Sequence, residues 1–216
     1  MNGTDTYFSI ERECDSQFVE QRSRFISFSF SVTDATQVKE RVAFVQKEYF
    51  DARHVCYAYV LGADRNEWRT NDNGEPSGTA GKPILGQINS RNLTDVLVVV
   101  VRYFGGVKLG TSGLAEAYRR AASDVLELSG SSERYVESSI TVLFSYQMMN
   151  TVMKIVKDIN PKIVSQEYGS FTAVEGDSAV YECRMVFRAR MTETEELRLR
   201  LCKCAEIRPV PEIVCI

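Results

Sequence analysis

Hydrophobic and polar positions in the first part of the chain follow two different periods. Residues 23–31, SRFISFSFS, alternate in character, which predicts a β-strand with one buried face. Asp34 then stands in an N-cap position before valines at helical spacing, so we expect a helix from there to Phe50. Residues 54–62, HVCYAYVLG, predict a second strand, and the polar residues 64–78 predict a hairpin followed by a loop.

Residues 95–104, DVLVVVVRYF, show no alternation. A strand of this kind is buried on both faces, so we expect helices, or helices and a second sheet, to cover its two sides. Before this strand, Thr79 is placed to cap a short helix that keeps Pro83 within its first turn.

A stretch rich in glycine and then in alanine follows. It predicts a helix from Thr111 or Ser112 to Leu128, ended by Gly130, because alanine favours helices and glycine terminates them. The buried stripe of this helix is expected to comprise Leu114, Ala117 or Tyr118, Ala121, Val125 and Leu128.

The second half of the chain has a different order of elements. Residues 130–137, GSSERYVE, are polar and predict a linker, which divides the chain into domains at 1–132 and 133–216. Beyond it the pattern is β-α-β-β-α-β, the split arrangement of ferredoxin-like folds. The predicted elements are a strand at 139–146, a helix at 147–159, strands at 162–170 and 178–190 around a turn at 173–177, a helix opened by a capping box from Thr192 to Glu195, and a strand at 212–216.

Charge argues against a protein held to nucleic acid by its overall composition. The net charge is -3, with 26 basic and 29 acidic residues, so any electrostatic attraction for an anionic partner must be local. The segment from residue 75 to residue 120 contains six basic and three acidic residues. This excess coincides with the glycine-rich stretch and favours an anion-binding surface there, although charged runs commonly form only a solvated face.

Cysteine and histidine usage points away from metal chemistry. The six cysteines form no CxxC pairs and the chain has one histidine, so neither a metal site nor a cofactor is expected. Free thiols fit a reducing cytoplasm. The first ten residues have no signal-peptide pattern, and the apolar run from Val96 to Val101 is too short to span a bilayer.

The glycine-rich turn matches neither common nucleotide-binding motif. A P-loop needs a lysine after its last glycine, whereas Gly110 is followed by Thr111 and Ser112, and no Gly-x-Gly-x-x-Gly is present. Two interpretations stay open. The glycines form a tight turn that packs a helix onto the sheet, or they bring free backbone amides of a helix N-terminus to an anionic group.

Three blocks together resemble one family. HVCYAYVLG at 54–62, NDNGEPSGTAGKPIL at 71–85 and VRYFGGVKLGTSGLAEAYRRAA at 101–122 are similar in order and spacing to the YigZ/Impact family, bacterial YigZ-like proteins and the N-terminal part of eukaryotic Impact. The resemblance is strong over about residues 15–130.

This resemblance implies an α+β protein of two domains. The first would have the fold of the second domain of the S-five type ribosomal protein, which elongation factor G uses for its fourth domain. The second would be ferredoxin-like, similar to the fifth domain of elongation factor G. Both relatives sit on the ribosome, so the resemblance implies a protein associated with translation, with RNA or the ribosome as partner, or else a protein. We expect it to be cytoplasmic and without membrane association; the sequence leaves the oligomeric state open, with a monomer favoured. The resemblance gives no ground for transferring the kinase-pathway role of eukaryotic Impact to this chain.

The candidate binding surface combines the GEPSGT loop with the glycine turn. Aromatic rings beside cations are the mixture that holds single-stranded nucleic acid. The predicted binding residues are Arg53, His54, Glu75, Pro76, Ser77, Gly78, Thr79, Lys82, Arg102, Tyr103, Phe104, Gly105, Gly106, Lys108, Gly110, Gly113 and Arg119.

The alternative function is a small-molecule or hydrolytic enzyme in a cleft formed by His54, Glu75 and Lys108. His54 and Cys56 are two apart on a strand, so they share a face as a Cys–His nucleophile pair would. A lone histidine at a strand start is more often structural, and no second carboxylate completes an acid–base pair. We therefore predict a binding protein, and name no catalytic residues.

Overall fold

A computed structural model describes residues 5–171, 181–204 and 207–210 of the 216-residue chain. The chain divides into two compact units, Thr6–Arg134 and a second unit made of Asp5 with the described residues from Tyr135 onward. Helices and antiparallel sheets build both units, so the predicted two-domain α+β class is confirmed. The boundary between residues 132 and 133 stays a proposal.

The first unit is built on a five-stranded sheet in the order β2-β3-β6-β4-β5, with every neighbouring pair antiparallel. Its strands are β2 (Cys14–Glu20), β3 (Ser23–Ser31), β4 (His54–Leu61), β5 (Glu67–Asn71) and β6 (Val96–Tyr103). The hairpin predicted after β4 is therefore present, because β4 and β5 pair directly.

Helices cover both faces of this sheet. Helix α1 (Ala35–Glu48) packs its valines on one face, and α2 (Gly81–Ser90) and α3 (Gly110–Ser129) pack on the other. The residues from Val96 to Val101 are therefore fully buried, alternately in the two cores, as the missing alternation predicted. Asp34 caps α1 as expected, with its carboxylate accepting from the backbone N–H groups of Thr36 and Gln37.

Two predictions about burial in this unit were wrong. Strand β3 is buried on both faces, with Phe25 in the core under α3 and Phe30 in the core under α1, because helices cover both sides of the sheet at this strand. Leu128 was expected in the buried stripe of α3 but is 49% exposed, because the buried face of the last turn consists of Val125, Leu126 and Ser129 and Leu128 lies outside it.

The predicted linker is partly a strand. β7 (Ser132–Tyr135) pairs with β1 (Thr6–Ser9) in a separate two-stranded sheet. Three of its four residues are exposed and polar or aromatic, so composition alone resembles a linker. The sequence pattern of β7 does not show that it pairs with β1, because β1 lies more than a hundred residues earlier in the chain.

The second unit has the predicted ferredoxin-like order. Its antiparallel sheet has the strand order β11-β8-β10-β9. The elements are β8 (Glu137–Phe144), α4 (Met149–Ile159), β9 (Lys162–Phe171), β10 (Tyr181–Arg190), α5 (Met191–Cys202) and β11 (Ile207–Val210). The predicted turn at 173–177 and strand at 212–216 lie outside the described residues.

The capping box of the last helix begins at Arg190, two residues before the predicted position. Helix α5 begins at Met191, so Thr192 lies inside its first turn and donates to the carboxylate of Asp5. Glu193 accepts from the backbone N–H of Arg190 instead, while Glu195 pairs with Arg198.

Candidate functional site

A cleft of about 340 Å³ lies at one end of the five-stranded sheet in the first unit. Four segments form it: the start of β4, the loop between β5 and α2, the end of β6 and the start of α3. Its lining residues are Arg53, His54, Glu75, Pro76, Arg102, Phe104, Lys108, Leu109, Gly110, Thr111 and Leu114.

Sheet register brings the polar side chains of the cleft together. His54 at the start of β4 lies directly opposite Arg102 at the end of β6, and Cys56 lies opposite Val100. Side chains two residues apart on a strand share a face, so His54, Cys56 and Arg102 all lie on the side covered by α3.

A buried ion pair forms the floor of the cleft. Arg102 Nη1 donates to Glu75 Oε1 at 2.7 Å, and the two side chains are only 5% and 4% exposed. The Tyr118 hydroxyl donates to the same carboxylate oxygen at 2.9 Å, and Arg102 Nη2 donates to the Ser23 hydroxyl at 3.2 Å. The two charges cancel where water is excluded, which is the arrangement that makes such burial tolerable.

His54 is oriented by the backbone of the loop. Its Nδ1 lies 2.9 Å from the carbonyl oxygen of Asn73, so Nδ1 carries a proton and donates to that oxygen. Its Nε2 faces Glu75 Oε1 at 3.9 Å, beyond hydrogen-bond distance. The side-chain oxygen of Asn73 also accepts from the backbone N–H of Val55, which fixes the loop against the start of β4.

Cys56 is a structural thiol. It donates to the carbonyl oxygen of Asp72 at 3.0 Å and lies 3.4 Å from the Tyr118 hydroxyl. Burial raises the pKa of the Cys56 thiol to about 12, outweighing the lowering effect of the hydrogen bond with Tyr118, and the nearby Glu75 carboxylate raises it further. Burial raises the pKa of the Tyr118 phenol as well. Neither group ionises near neutral pH, so this pair supplies no thiolate nucleophile.

Asp72 holds the loop that carries Glu75. Its carboxylate accepts from the backbone N–H groups of Gly78, Ala80 and Gly81, the last two at the start of α2. Although partial burial alone would raise it, these donors hold the pKa of Asp72 below its ordinary value. Thr79 was predicted as the cap, but its hydroxyl donates to the carbonyl of Pro76, and Asp72 takes the capping role from outside the helix.

The glycine turn has a structural reason for its composition. A Cβ at Gly105 would lie 2.0 Å from the backbone of Arg22, so no other residue fits there without moving the turn. Gly106 has a φ of +88°, in the left-handed region that favours glycine. The turn places the start of α3 at the cleft. No side chain caps the N-terminus of this helix.

Comparison with known proteins assigns the family. The family model of the Impact N-terminal domain matches residues 21–126. The chain is 40% identical over 129 residues to the IMPACT family member YvyE of Bacillus subtilis, covering 60% of this chain and 59% of that protein. It is 33% identical over 153 residues to the IMPACT family member YigZ of Escherichia coli, covering 70% of this chain and 75% of that protein. This chain belongs to the IMPACT family.

One solved structure shares the fold of this IMPACT family member, and a second was also compared with it. The first, described as the crystal structure of a hypothetical protein, has a TM-score of 0.73 at 25% identity and covers 96% of this chain and 98% of that one. The two-domain translational regulator Yih1 gives a TM-score of 0.31 at 22% identity and covers 55% of this chain and 46% of that one.

Eight of the predicted binding residues line the cleft of this family member. They are Arg53, His54, Glu75, Pro76, Arg102, Phe104, Lys108 and Gly110. Gly105 and Gly106 shape the turn beside it, and Gly113 lies in the first turn of α3. Ser77, Gly78 and Thr79 continue the loop from Pro76, and Lys82 follows in α2, outside the cleft lining.

Three predicted residues have other roles. Arg102 is buried and paired with Glu75, so its charge is not free at the surface. Tyr103 packs on the α1 side of the sheet and its hydroxyl donates to Asp51 at 2.6 Å. Arg119 is exposed but is hydrogen-bonded to Glu116 and does not line the cleft.

The sequence reasoning missed several residues that build the site. Tyr118 was considered only as a core residue, although a buried tyrosine hydroxyl usually has a hydrogen-bond partner. Asp72 and Asn73 were treated as loop residues, although short polar side chains that satisfy nearby backbone groups are typical of such loops. Ser23 contacts Arg102 through a pairing of β3 with β6 that no local pattern shows.

Within the part of the chain that the structure describes, two cations of the cleft have no ion-pair partner. Arg53 and Lys108 are exposed, and neither forms an ion pair with a described residue. Phe104 beside them is 47% exposed, with the Arg102 guanidinium 5.7 Å from its ring centre. No group of three or more described His, Cys, Asp or Glu side chains is arranged to hold a metal ion.

Proposed function

We propose that this protein is a translation-associated binding protein of the cytoplasm that holds RNA, free or in the ribosome, in the cleft of its first unit without catalysing a reaction. Membership of the IMPACT family supports the link to translation. No helix within the described ranges has the length and apolar composition to cross a bilayer. The proposed partner is an anionic chain that binds at the cleft of the first unit.

The observation that carries this proposal is the combination of unpaired donors around the cleft. The side chains of Arg53 and Lys108 have no ion-pair partner among the described residues, and α3 begins at Gly110 without a side-chain cap. Backbone N–H groups at such a helix start, together with its dipole, attract a phosphate, and the two cations add to that attraction. The local charge is positive although the whole chain is acidic.

An exposed aromatic ring at the cleft favours nucleic acid over a simple anion. Phe104 presents almost half its surface beside Lys108. Bases stack on such rings in proteins that bind single strands, with little dependence on sequence. Arg102 is proposed to support this ring and the floor of the cleft from below rather than to contact phosphate itself, since its charge is neutralised by Glu75.

Binding of a fluorescently labelled single-stranded RNA, followed by anisotropy, tests the proposal. We expect Phe104→Leu to weaken binding by about 1–3 kcal/mol, the usual contribution of one stacked base. Lys108→Ala is expected to weaken the binding of RNAs of different sequence equally, because it removes a contact with phosphate rather than with a base.

Matched variants control for general effects. Phe50 is 85% exposed and Lys47 is an exposed residue in the last turn of α1, and neither lines the cleft. Phe50→Leu and Lys47→Ala are therefore expected to bind RNA as the wild type does. Equal affinities for Lys108→Ala, Phe104→Leu and their controls would refute the cleft as the RNA site.

The second candidate function is an enzyme that uses His54, Glu75 and Lys108, and one observation favours it: all three line one cleft. The Cys–His form of this idea is weakened, because Cys56 contacts Asp72 and Tyr118 and keeps its proton. Turnover of any compound in a broad metabolite and hydrolase screen, lost in His54→Ala, would establish the enzyme. A screen without turnover would leave binding as the function.

A further inference from the structure

The floor of the cleft carries two hydrogen-bond acceptors without donors. Glu75 accepts from Arg102 and Tyr118 only at Oε1, and its Oε2 receives no hydrogen bond from any described residue. In the neutral form of His54, Nδ1 donates to Asn73 and Nε2 is an acceptor, and no described donor reaches Nε2. The side chains of His54 and Glu75 are 11% and 4% exposed, and both line the cleft.

Neither acceptor atom is sealed from water, so a ligand that displaces water from them has to supply donors in its place. Buried polar atoms in folded proteins are nearly always hydrogen-bonded, and leaving a carboxylate oxygen without a donor is costly. Sulfate brings only acceptors at neutral pH, so it does not satisfy Glu75 Oε2 or His54 Nε2. A ligand that fills the whole cleft therefore carries hydroxyl or amino hydrogens at one end.

The other end of the cleft has the opposite preference. Lys108, Arg53 and the first backbone N–H groups of α3 are all donors, and two of them are cationic. The apolar surfaces of Phe104 and Pro76 lie in the same lining. The complementary ligand has an anionic group, a flat apolar ring and neutral donors within a volume of about 340 Å³.

We infer that the cleft binds a single ribonucleotide unit, with its phosphate at the start of α3 beside Lys108, its base against Phe104 and its ribose hydroxyls on Glu75 Oε2 and His54 Nε2. An acidic side chain that accepts from ribose hydroxyls is a recurring solution in nucleotide sites. The 2′-hydroxyl is also the group by which proteins distinguish RNA from DNA. This inference rests on the proposed RNA-binding function and makes it specific for ribose.

The unit has two possible sources, a free nucleotide or the end of an RNA chain, which share the same chemistry. Calorimetric titration of the full-length protein with 5′-AMP, 2′-deoxy-5′-AMP and adenosine tests that chemistry on the wild type, without a variant that disturbs the buried ion pair. We expect 5′-AMP to bind at least about tenfold more tightly than 2′-deoxy-5′-AMP, because a hydrogen bond to a charged group is lost. Adenosine, which lacks the phosphate, is expected to bind more weakly than 5′-AMP.

Two variants locate the binding. Lys108→Ala is expected to lower the affinity for 5′-AMP toward that for adenosine, while the affinity for adenosine stays unchanged. Lys47→Ala is expected to change neither affinity. Equal binding of 5′-AMP and 2′-deoxy-5′-AMP, or no binding of 5′-AMP at all, would overturn the inference. Binding of a polyglutamate peptide in place of 5′-AMP would overturn it in favour of an acidic protein partner.

Competition with labelled RNA separates this inference from the proposed function. An RNA end is supported as the source if two results are obtained together. 5′-AMP displaces a 5′-phosphorylated RNA, and a circular RNA of the same sequence binds more weakly than the linear one. Ribose-selective binding of 5′-AMP by a protein that binds no RNA supports a free nucleotide and refutes the proposed function alone. RNA binding that 5′-AMP does not displace refutes the ribonucleotide site and leaves the proposed function standing.

Discussion

Arg102 and Tyr103 follow one another at the end of β6, yet they lie in different surroundings. Arg102 is 4% exposed on the α3 side, paired with Glu75 and held by Ser23. Tyr103 lies on the α1 side, where its hydroxyl donates to an exposed Asp51 and the Arg24 guanidinium covers its ring at 4.5 Å. One face of the sheet ends in a buried polar network and the other in surface contacts.

The two faces of the sheet differ in where buried polar groups are placed. The core under α1 consists of aliphatic and aromatic side chains, whereas the core under α2 and α3 ends in His54, Glu75, Arg102 and Tyr118. A protein gains little stability from burying an ion pair in place of apolar residues. The concentration of these groups at the one end that opens into a cleft therefore indicates a functional reason.

The largest expected effect comes from breaking the buried pair. Arg102→Met leaves the Glu75 carboxylate buried without its counter-charge, so we expect a loss of about 3–5 kcal/mol in the free energy of unfolding. Tyr103→Phe removes only one exposed hydrogen bond and is expected to cost below about 1 kcal/mol. Urea denaturation at neutral pH measures both.

A double variant sharpens the same contrast. Glu75→Gln combined with Arg102→Met removes both charges, so it is expected to be more stable than Arg102→Met alone. A cost for Arg102→Met no greater than that for Tyr103→Phe would show that the two ends of the sheet do not differ as described.

Thiol reactivity gives the next effect in size. Cys56 is fully buried with its pKa raised to about 12, whereas Cys202 is exposed on α5. In the native protein we expect iodoacetamide to modify Cys56 at least about a hundredfold more slowly than Cys202, because modification requires local opening. Peptide mass spectrometry over time measures the two rates. Equal rates would contradict the buried network and revive the thiol nucleophile.

The capping of α2 by Asp72 gives a smaller effect with a defined pH dependence. Asp72→Ala is expected to lower the free energy of unfolding by about 0.5–2 kcal/mol at pH 7, in the range of other lost helix caps. The pKa of Asp72 is lowered in the folded protein, so the unfolded chain takes up the proton first as pH falls. The stabilisation is therefore complete above the unfolded value of about 3.9 and decreases below it.

Urea titrations of the wild type and Asp72→Ala at several pH values check this sign. The difference between them is expected to shrink as the pH is lowered below about 4. A control is Thr79→Ser, which keeps the hydroxyl that donates to Pro76 and is expected to leave stability nearly unchanged. A difference between wild type and Asp72→Ala that grows toward acid would contradict the assignment.

Local patterns were sufficient for the elements but not for the site. The missing alternation in β6 correctly predicted burial on both faces, and the alternation of elements after residue 137 correctly predicted a ferredoxin-like unit. Both features arise from residues close in sequence, where periodicity directly reflects which face is covered.

The buried polar network could not be predicted in the same way. Arg102 ends a strand, a position from which a charged side chain ordinarily reaches water, and its partner Glu75 precedes it by 27 residues in a loop. Whether its charge is free or neutralised depends on that loop, which Asp72 folds back onto α2. The positions of the cleft residues were thus predicted in part, while the roles of Arg102 and Tyr103 required the tertiary structure.

The central claim is that unpaired donors of the cleft hold RNA phosphates. The salt dependence of binding to a labelled single-stranded RNA tests it most directly, because each phosphate contact contributes about 0.7 to the slope of log K against log salt concentration. We predict that Arg53→Ala/Lys108→Ala lowers the magnitude of this slope by about 1.4, two such contacts. The matched pair Lys39→Ala/Lys47→Ala on α1 should retain the wild-type slope. A slope unchanged in the cleft variant would contradict the account.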